Sequence, residues 1–350
     1  MITTRRTPRP GIFSLALAIV QFFCPVAFFA HACAGESRFD SVVNADGSGT
    51  HRTLQEAIAA VPTHNTRPFR ILLKPGTYQG QVIVPKDKPY VQWIGEDAEK
   101  TIVTCALNQN DAPAAGEKPV FNNAGTVILC GDFRAEKITF QNTSGDHGQA
   151  QALRVDGDRA VFAHCRLLGW QDTLLLNAGR QYFTQCYIEG RVDFIYGGAT
   201  AVFDRCEIHS KNGGHITAAS TPTENPYGFV FMHCTLTGDT NPWIDPRATA
   251  ADAGSKKVTP LADLGRPWRP FASVIYLNCE MGAHIRPEGW NNWSNSANEQ
   301  TARFAEYNST GPGANPEKRV KWSKLLTKEE VERISAPSVL AGNDQWNPTQ

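Results

Sequence analysis

The sequence predicts an all-β fold: a solenoid of stacked parallel β-coils, a parallel β-helix, closed by short capping helices. Two observations carry this. A ten-residue pattern recurs with an aromatic at its third place, Cys at its sixth and an aliphatic at its eighth. Its copies are AVFAHCRLLG (Ala160–Gly169), QYFTQCYIEG (Gln181–Gly190), AVFDRCEIHS (Ala201–Ser210), FVFMHCTLTG (Phe229–Gly238) and VIYLNCEMGA (Val274–Ala283). Cys165, Cys186 and Cys206 stand 21 and 20 residues apart, and Asp172 and Asp193 stand 21 apart. Strand-like units at such a period mark a solenoid. Successive coils lie roughly 4.8 Å apart, the spacing of paired strands, so residues one period apart stack on each other.

Taken in order, the chain opens with Arg5, Arg6 and Arg9 before an apolar run from Ile12 to Ala30, followed by "AHACAGES". Basic residues, an apolar stretch and a small-residue exit read as a secretory signal. Gln21 and Pro25 interrupt the run, which favours cleavage and export over a membrane anchor. The expected organisation is a signal peptide over 1–34 and a single β-helix domain over 35–350, secreted or periplasmic. "FDSVVNADGSGTHRT" reads as a strand and a loop. Thr53-Leu-Gln-Glu56 is a capping box, and Leu54, Ala57, Ile58 and Val61 recur at helical spacing up to Pro62. That short helix is expected to cap the first coil, whose core is otherwise exposed.

"FRILLKPGTYQGQVIV" and "YVQWIGE" alternate like strands. Regular coils are expected from about Thr126 to Ala283. The period is broken between Cys206 and Cys234 and between Cys234 and Cys279. The excess residues near Lys211–Tyr227 and Gly238–Leu264 are expected to form loops on the binding face. "WNNWSNS" and "EYNSTGPGAN" look irregular, and Thr327-Lys-Glu-Glu330 opens a final short helix.

Lys plus Arg and Asp plus Glu each number 34, so net charge is zero. Without the first 34 residues, 31 basic face 34 acidic groups. This balance argues against a nucleic-acid or membrane-surface partner. Specific side chains must therefore hold any anionic substrate.

Export places the cysteines in an oxidising compartment. Stacked Cys on adjacent coils fall within disulfide reach, with Cys186–Cys206 the favoured pair. The alternative is a ladder of buried thiols acting as small apolar groups. No Cys or His spacing suggests a metal site.

The chemistry centres on Asp172 and Asp193. Two carboxylates about 5 Å apart do not both ionise comfortably; one holds its proton and the other is a base or nucleophile. A lone Asp is more often a turn or cap residue, but these two have company. Gln149 and Gln171 are 22 residues apart, so two amide donors stack beside the acids, as oxyanion stabilisation requires. The set suits acyl transfer through an attacking Asp. The same spacing also suits a retaining glycosidase, although an oxocarbenium ion needs no oxyanion donors. A lyase would need a calcium-binding carboxylate cluster, which the sequence does not show. A catalytically dead carbohydrate-binding solenoid would have no use for this set.

"NADGSGTHRTLQEAIAAVP", "ITFQNTSG", "GQAQALRV", "GWQDTLL", "GRVDFIYGG" and "LGRPWRP" occur here in the order found in pectin methylesterases, which the chain resembles from Phe39 to its C-terminal helix. The resemblance implies a right-handed, single-stranded parallel β-helix. It implies a carboxylic ester hydrolase that converts methyl-esterified homogalacturonan to pectate and methanol, acts without a metal or cofactor, and is a monomer. Carried over by motif, Asp193 resembles the nucleophile and Asp172 the general acid and later base. Gln171 and Gln149 resemble the oxyanion stabilisers, and Arg266 the arginine that pairs with the nucleophile. Trp268 resembles the sugar-stacking aromatic. Tyr196, where many members carry Phe, is placed with Trp268 among the substrate-binding residues. Leu175 replaces a frequent aromatic, and Gln79-Gly80 departs from a frequent Tyr-x-Glu sequence. These changes bear on the methylation pattern preferred rather than on the reaction. Trp290 and Trp293 are expected mainly to pack.

Overall fold

The computed structural model describes residues 1–3, 39–110, 123–239 and 260–350. The chain divides into units 1–37 and 38–350, and the fold described here is that of the second. The proposed signal peptide lies outside the described residues, apart from its first three. All strand ladders among the described residues are parallel. One sheet of eleven strands runs from Ser41–Val43 to Lys324–Leu325. The other strands form a second array that bends through a corner, because Tyr187–Gly197 and Glu207–Ala219 each pass from one column of strands to another. This is the right-handed parallel β-helix that the repeat and the resemblance predict.

The repeat maps onto the ladder place by place. The aliphatics Leu167, Ile188, Ile208, Leu236 and Met281 pair in succession across five rungs. The aromatics Phe162, Phe183, Phe203, Phe231 and Tyr276 form a continuous internal stack, with centroids 4.5 to 5.0 Å apart and rings within 16° of parallel. In-register strands hold like side chains at the rung spacing, which suits offset ring stacking. Before each ladder cysteine the backbone turns the corner with positive φ, at His164, Gln185, Arg205, His233 and Asn278. Asn and His tolerate this left-handed conformation best; Gln and Arg are held there by the two sheets they join.

The cysteines are all free thiols among the described residues, Cys186 and Cys206 included. The expected disulfide is therefore corrected in favour of the buried apolar ladder. Side chains on stacked rungs run side by side, so each Sγ aims at a backbone carbonyl. Cys186 donates to Phe162 and Thr184 at 3.4 Å, and Cys206 to Phe183 and Asp204 at 3.6 Å.

Other expectations need adjusting. The helix α1, Leu54–Ala60, forms with its Thr53–Glu56 capping box and buries Leu54, Ala57 and Ile58. The coils, however, begin at Ser41–Val43 and continue through Arg303–Tyr307, well beyond Thr126–Ala283. The stretch 211–219, expected as a loop, lies in the strand Glu207–Ala219 because it pairs with Ala262–Pro267. Most of the 238–264 excess lies outside the described residues. A further helix, α2, is Asn298–Thr301. Thr327 caps α3, Lys328–Val331, but the last helix is α4, Ala336–Leu340. This C-terminal segment covers an apolar outer face of the eleven-stranded sheet formed by Val161, Tyr182, Val202, Val230 and Ile275. Burial on both faces gives such strands near-continuous apolar sequences.

Candidate active site

The site lies at the corner where the second array bends. Asp172 follows the strand Arg166–Leu168, and Asp193 sits inside Tyr187–Gly197. Leu174 pairs with Ile195, and the Asp172 N–H donates to the Val192 carbonyl at 3.0 Å, so the two aspartates occupy consecutive rungs as the period predicts. Both have positive φ, 64° and 52°. A non-glycine residue held there carries backbone strain, which rigid surroundings sustain at reactive sites.

Arg266 binds Asp193 through two parallel bonds, Nε to Oδ1 at 2.8 Å and Nη2 to Oδ2 at 2.6 Å. The strand Ala262–Pro267 places it opposite Ala218, which stands opposite Tyr196. Ala218 is small, so the guanidinium can lie back over that rung to Asp193. The preceding Gly265 packs so closely that a Cβ there would lie 2.0 Å from Thr217 Oγ1. The Trp293 ring lies 3.7 Å from the guanidinium carbon, a cation–π contact that braces the arginine.

Asp172 is 4% exposed. Burial, with the adjacent Asp193 carboxylate second, pushes its carboxyl up to about 8; Tyr196, Arg266 and Gln171 oppose the shift. This favours the protonated form of Asp172, beside an Asp193 paired with arginine. Two stacked carboxylates whose surroundings differ in this way are candidates for an acid and a nucleophile.

Gln149 and Gln171 form a parallel bridge on adjacent rungs. Gln171 also lies in hydrogen-bonding reach of Asp172. The loop before Gln149 is tied to the Asp193 strand by a partly buried ion pair between Asp146 and Arg191 at 2.5 Å. Trp268 is 37% exposed, with its ring under the Arg269 guanidinium and its centroid 5.8 Å from that of Tyr196. Tyr196 lies beneath the surface, packed with Leu175, Ala218 and Trp293. Its hydroxyl accepts from Gln151 Nε2 at 2.6 Å and faces Asp172. Trp290 packs as expected, stacked on Phe304 with its centroid 4.4 Å away.

The sequence does not single out Gln151, and it offers Trp293 mainly as a packing residue. Gln151 opens the strand Gln151–Val155, two residues after the Gln149 bridge, and its nearness to Gln149 in "GQAQAL" is the available signal. Toward the N-terminal coils the same corner holds a concavity of about 670 Å³, lined by Gln79, Gln81, Thr104, Leu107, Gln141 and Thr143. Among the described residues no cluster of His, Cys, Asp and Glu is arranged to hold a metal.

A bidentately held carboxylate beside a protonated one, with amides nearby, is equipped for nucleophilic acyl transfer. The comparisons agree with that chemistry. Residues 40–343 match the family model described as Pectinesterase. The chain is 40% identical to Pectinesterase 31 of Arabidopsis thaliana, over 83% of this chain and 88% of that one. Among solved structures it is similar to pectin methylesterase from carrot, with a TM-score of 0.77 and 32% identity, covering 87% of this chain and 94% of the other. It is also similar to a pectin methylesterase solved in complex with a hexasaccharide, with a TM-score of 0.73 and 28% identity, covering 90% and 99%. Fold, spacing and sequence agree: the chain belongs to the pectinesterase family.

Proposed function

We propose that this pectinesterase hydrolyses the methyl esters of galacturonate in homogalacturonan with Asp193 as nucleophile and Asp172 as general acid, then base. Asp193 attacks the ester carbonyl carbon, and the developing oxyanion is held by the Gln171 and Gln149 amides. As the C–O bond to methanol breaks, Asp172 passes its proton to the departing oxygen. Water deprotonated by Asp172 then attacks the acyl-enzyme anhydride, which releases pectate, restores Asp193 and returns the proton to Asp172. The observation that carries this reading is the Arg266 pair on Asp193, set beside a buried Asp172 that burial pushes toward its protonated form. Both Arg266 bonds weaken as negative charge leaves Asp193 in the acyl-enzyme and re-form when it is freed.

The exposed ring of Trp268 offers an apolar face to a pyranose. The amide- and hydroxyl-lined concavity toward the N-terminal coils supplies hydrogen-bonding groups for further sugar units. We further assign residues 1–34 as a signal peptide and 35–350 as one catalytic domain, exported and active as a monomer. No helix among the described residues is long and apolar enough to cross a membrane.

The deciding assay measures methanol and reducing ends together on highly methylated pectin. Methanol release at constant chain length is expected, whereas a rise in reducing ends would mark a glycosidase or lyase. Asp193→Ala should abolish methanol release in a folded protein, and retained turnover would refute its role.

A further inference from the structure

We propose that Tyr196 and Gln151 form a reversible hydrogen-bond relay that positions the Asp172 carboxyl and serves both of its protonation states, rather than touching the sugar. The inference rests on the esterase reading above, in which Asp172 must be an acid in one half-cycle and a base in the next. Three observations carry it. Tyr196 is 7% exposed and walled by Leu175, Ala218 and Trp293, so its ring lies under the cleft floor. Its hydroxyl accepts a hydrogen bond from Gln151 Nε2 at 2.6 Å and faces the Asp172 carboxyl. Gln151 is 4% exposed, and its Oε1 is buried without a hydrogen-bond partner.

An amide presents a donor and an acceptor, and a phenol is both at once. When Asp172 is ionised, Gln151 N–H donates to Tyr196 Oη and the phenol O–H donates to the carboxylate. When Asp172 is protonated, its O–H donates to Tyr196 Oη, and the phenol proton turns to Gln151 Oε1 once the amide rotates. No proton leaves the relay, because only the hydroxyl and amide reorient. The acid's own proton goes to methanol and is replaced from water. Burial and the Asp172 carboxyl hold Tyr196 as the neutral phenol this requires. The other groups facing Asp172 are Asp193, Arg266 and Gln171, and Arg154 acts on the phenol. The first three complete the catalytic set and are present whether residue 196 is Tyr or Phe. Phenol-to-carboxylate bonds are charge-assisted and the reverse bonds are neutral, so the relay favours the ionised form.

The test compares Tyr196→Phe, Gln151→Leu and the double variant with the wild type, reading pH profiles of methanol release on pectin. Tyr196→Phe should lower kcat roughly 10-fold and move the alkaline limb of kcat upward by about 0.5–1 pH unit. KM for pectin should stay within about twofold of wild type, as expected of a group that does not bind the sugar. Gln151→Leu should shift the limb in the same direction, and the double variant should match Tyr196→Phe alone. A raised KM with an unmoved limb would return Tyr196 to substrate binding. An unchanged profile, or additive effects of the two substitutions, would also overturn the relay. Tyr196→Phe decides the matter alone if Gln151→Leu fails to fold. Wild-type protein that released no methanol would instead refute the esterase reading itself.

Discussion

Asp172 lets pH report on one side chain in two independent ways. Its carboxyl is pushed up to about 8 in the fold from an ordinary 3.8. The acid form is therefore lost as pH rises through about 8, and methanol release should fall there. The folded state binds a proton that the unfolded chain releases between about pH 4 and 8, so wild-type stability declines as pH rises through that window. Asp172→Asn has no such titration. Its Tm advantage over wild type should grow from pH 4 to pH 8, and a constant difference in thermal melts would contradict the shift. Arg266→Ala leaves Asp193 buried without its cation, which should destabilise the fold by roughly 3 kcal/mol and bring activity near that of Asp193→Ala. Chemical denaturation and initial rates check the two effects. Gln171→Ala should cost roughly 10²-fold in kcat if its amide meets the oxyanion.

At this scale, most of the proposed site was legible in the sequence. The two aspartates and two glutamines stand one period apart, and a period is readable. Arg266 came from its motif, because no repeat predicts which side chain leans back across a small neighbour. The Tyr196–Gln151 contact spans two rungs and 45 residues, which a one-coil period does not reveal. Trp293 reaches Arg266 from an irregular segment with φ of 60°, outside any repeat.

Among the elements, the internal aromatic stack has the clearest energetic consequence. Phe203 is fully buried, with parallel partners Phe183 and Phe231 on either side. Phe203→Ala should therefore destabilise the domain by roughly 3–5 kcal/mol, measurable by denaturant titration. The ladders themselves were readable because aromatic, Cys and aliphatic places recur at fixed offsets within each copy. The early coils, such as Phe69–Leu73 against Val91–Gly95, lack the Cys, and Ile71 and Ala135 flank Trp93 at the ring place, so the solenoid looks shorter in the sequence than it is. The strand Glu207–Ala219 reads partly as loop in the sequence, because Asn212-Gly213-Gly214 resembles a turn. That run instead forms the irregularity at which the strand passes from one column to the next.

For the whole molecule, the absence of cross-links among the described cysteines gives a direct prediction. Thermal melting with and without reductant should give the same Tm, and a clear fall on reduction would mean a disulfide contributes. The outer face covered by the C-terminal segment was not anticipated. Its residues alternate with the inward ladder as Val161, Tyr182, Val202, Val230 and Ile275, and the sequence names no partner for them. Val339 and Leu340, more than sixty residues beyond Ile275, provide the cover.

The terminal strands of the long sheet are short. Ser41–Val43 spans three residues, and Lys324–Leu325 spans two and bears a lysine. A stack of parallel rungs is in principle a template on which further chains could add without limit. Brief margins, one of them charged, deprive an incoming strand of enough backbone to grip. The same geometry that aligns the reacting carboxylates is thereby kept from growing end to end into fibres.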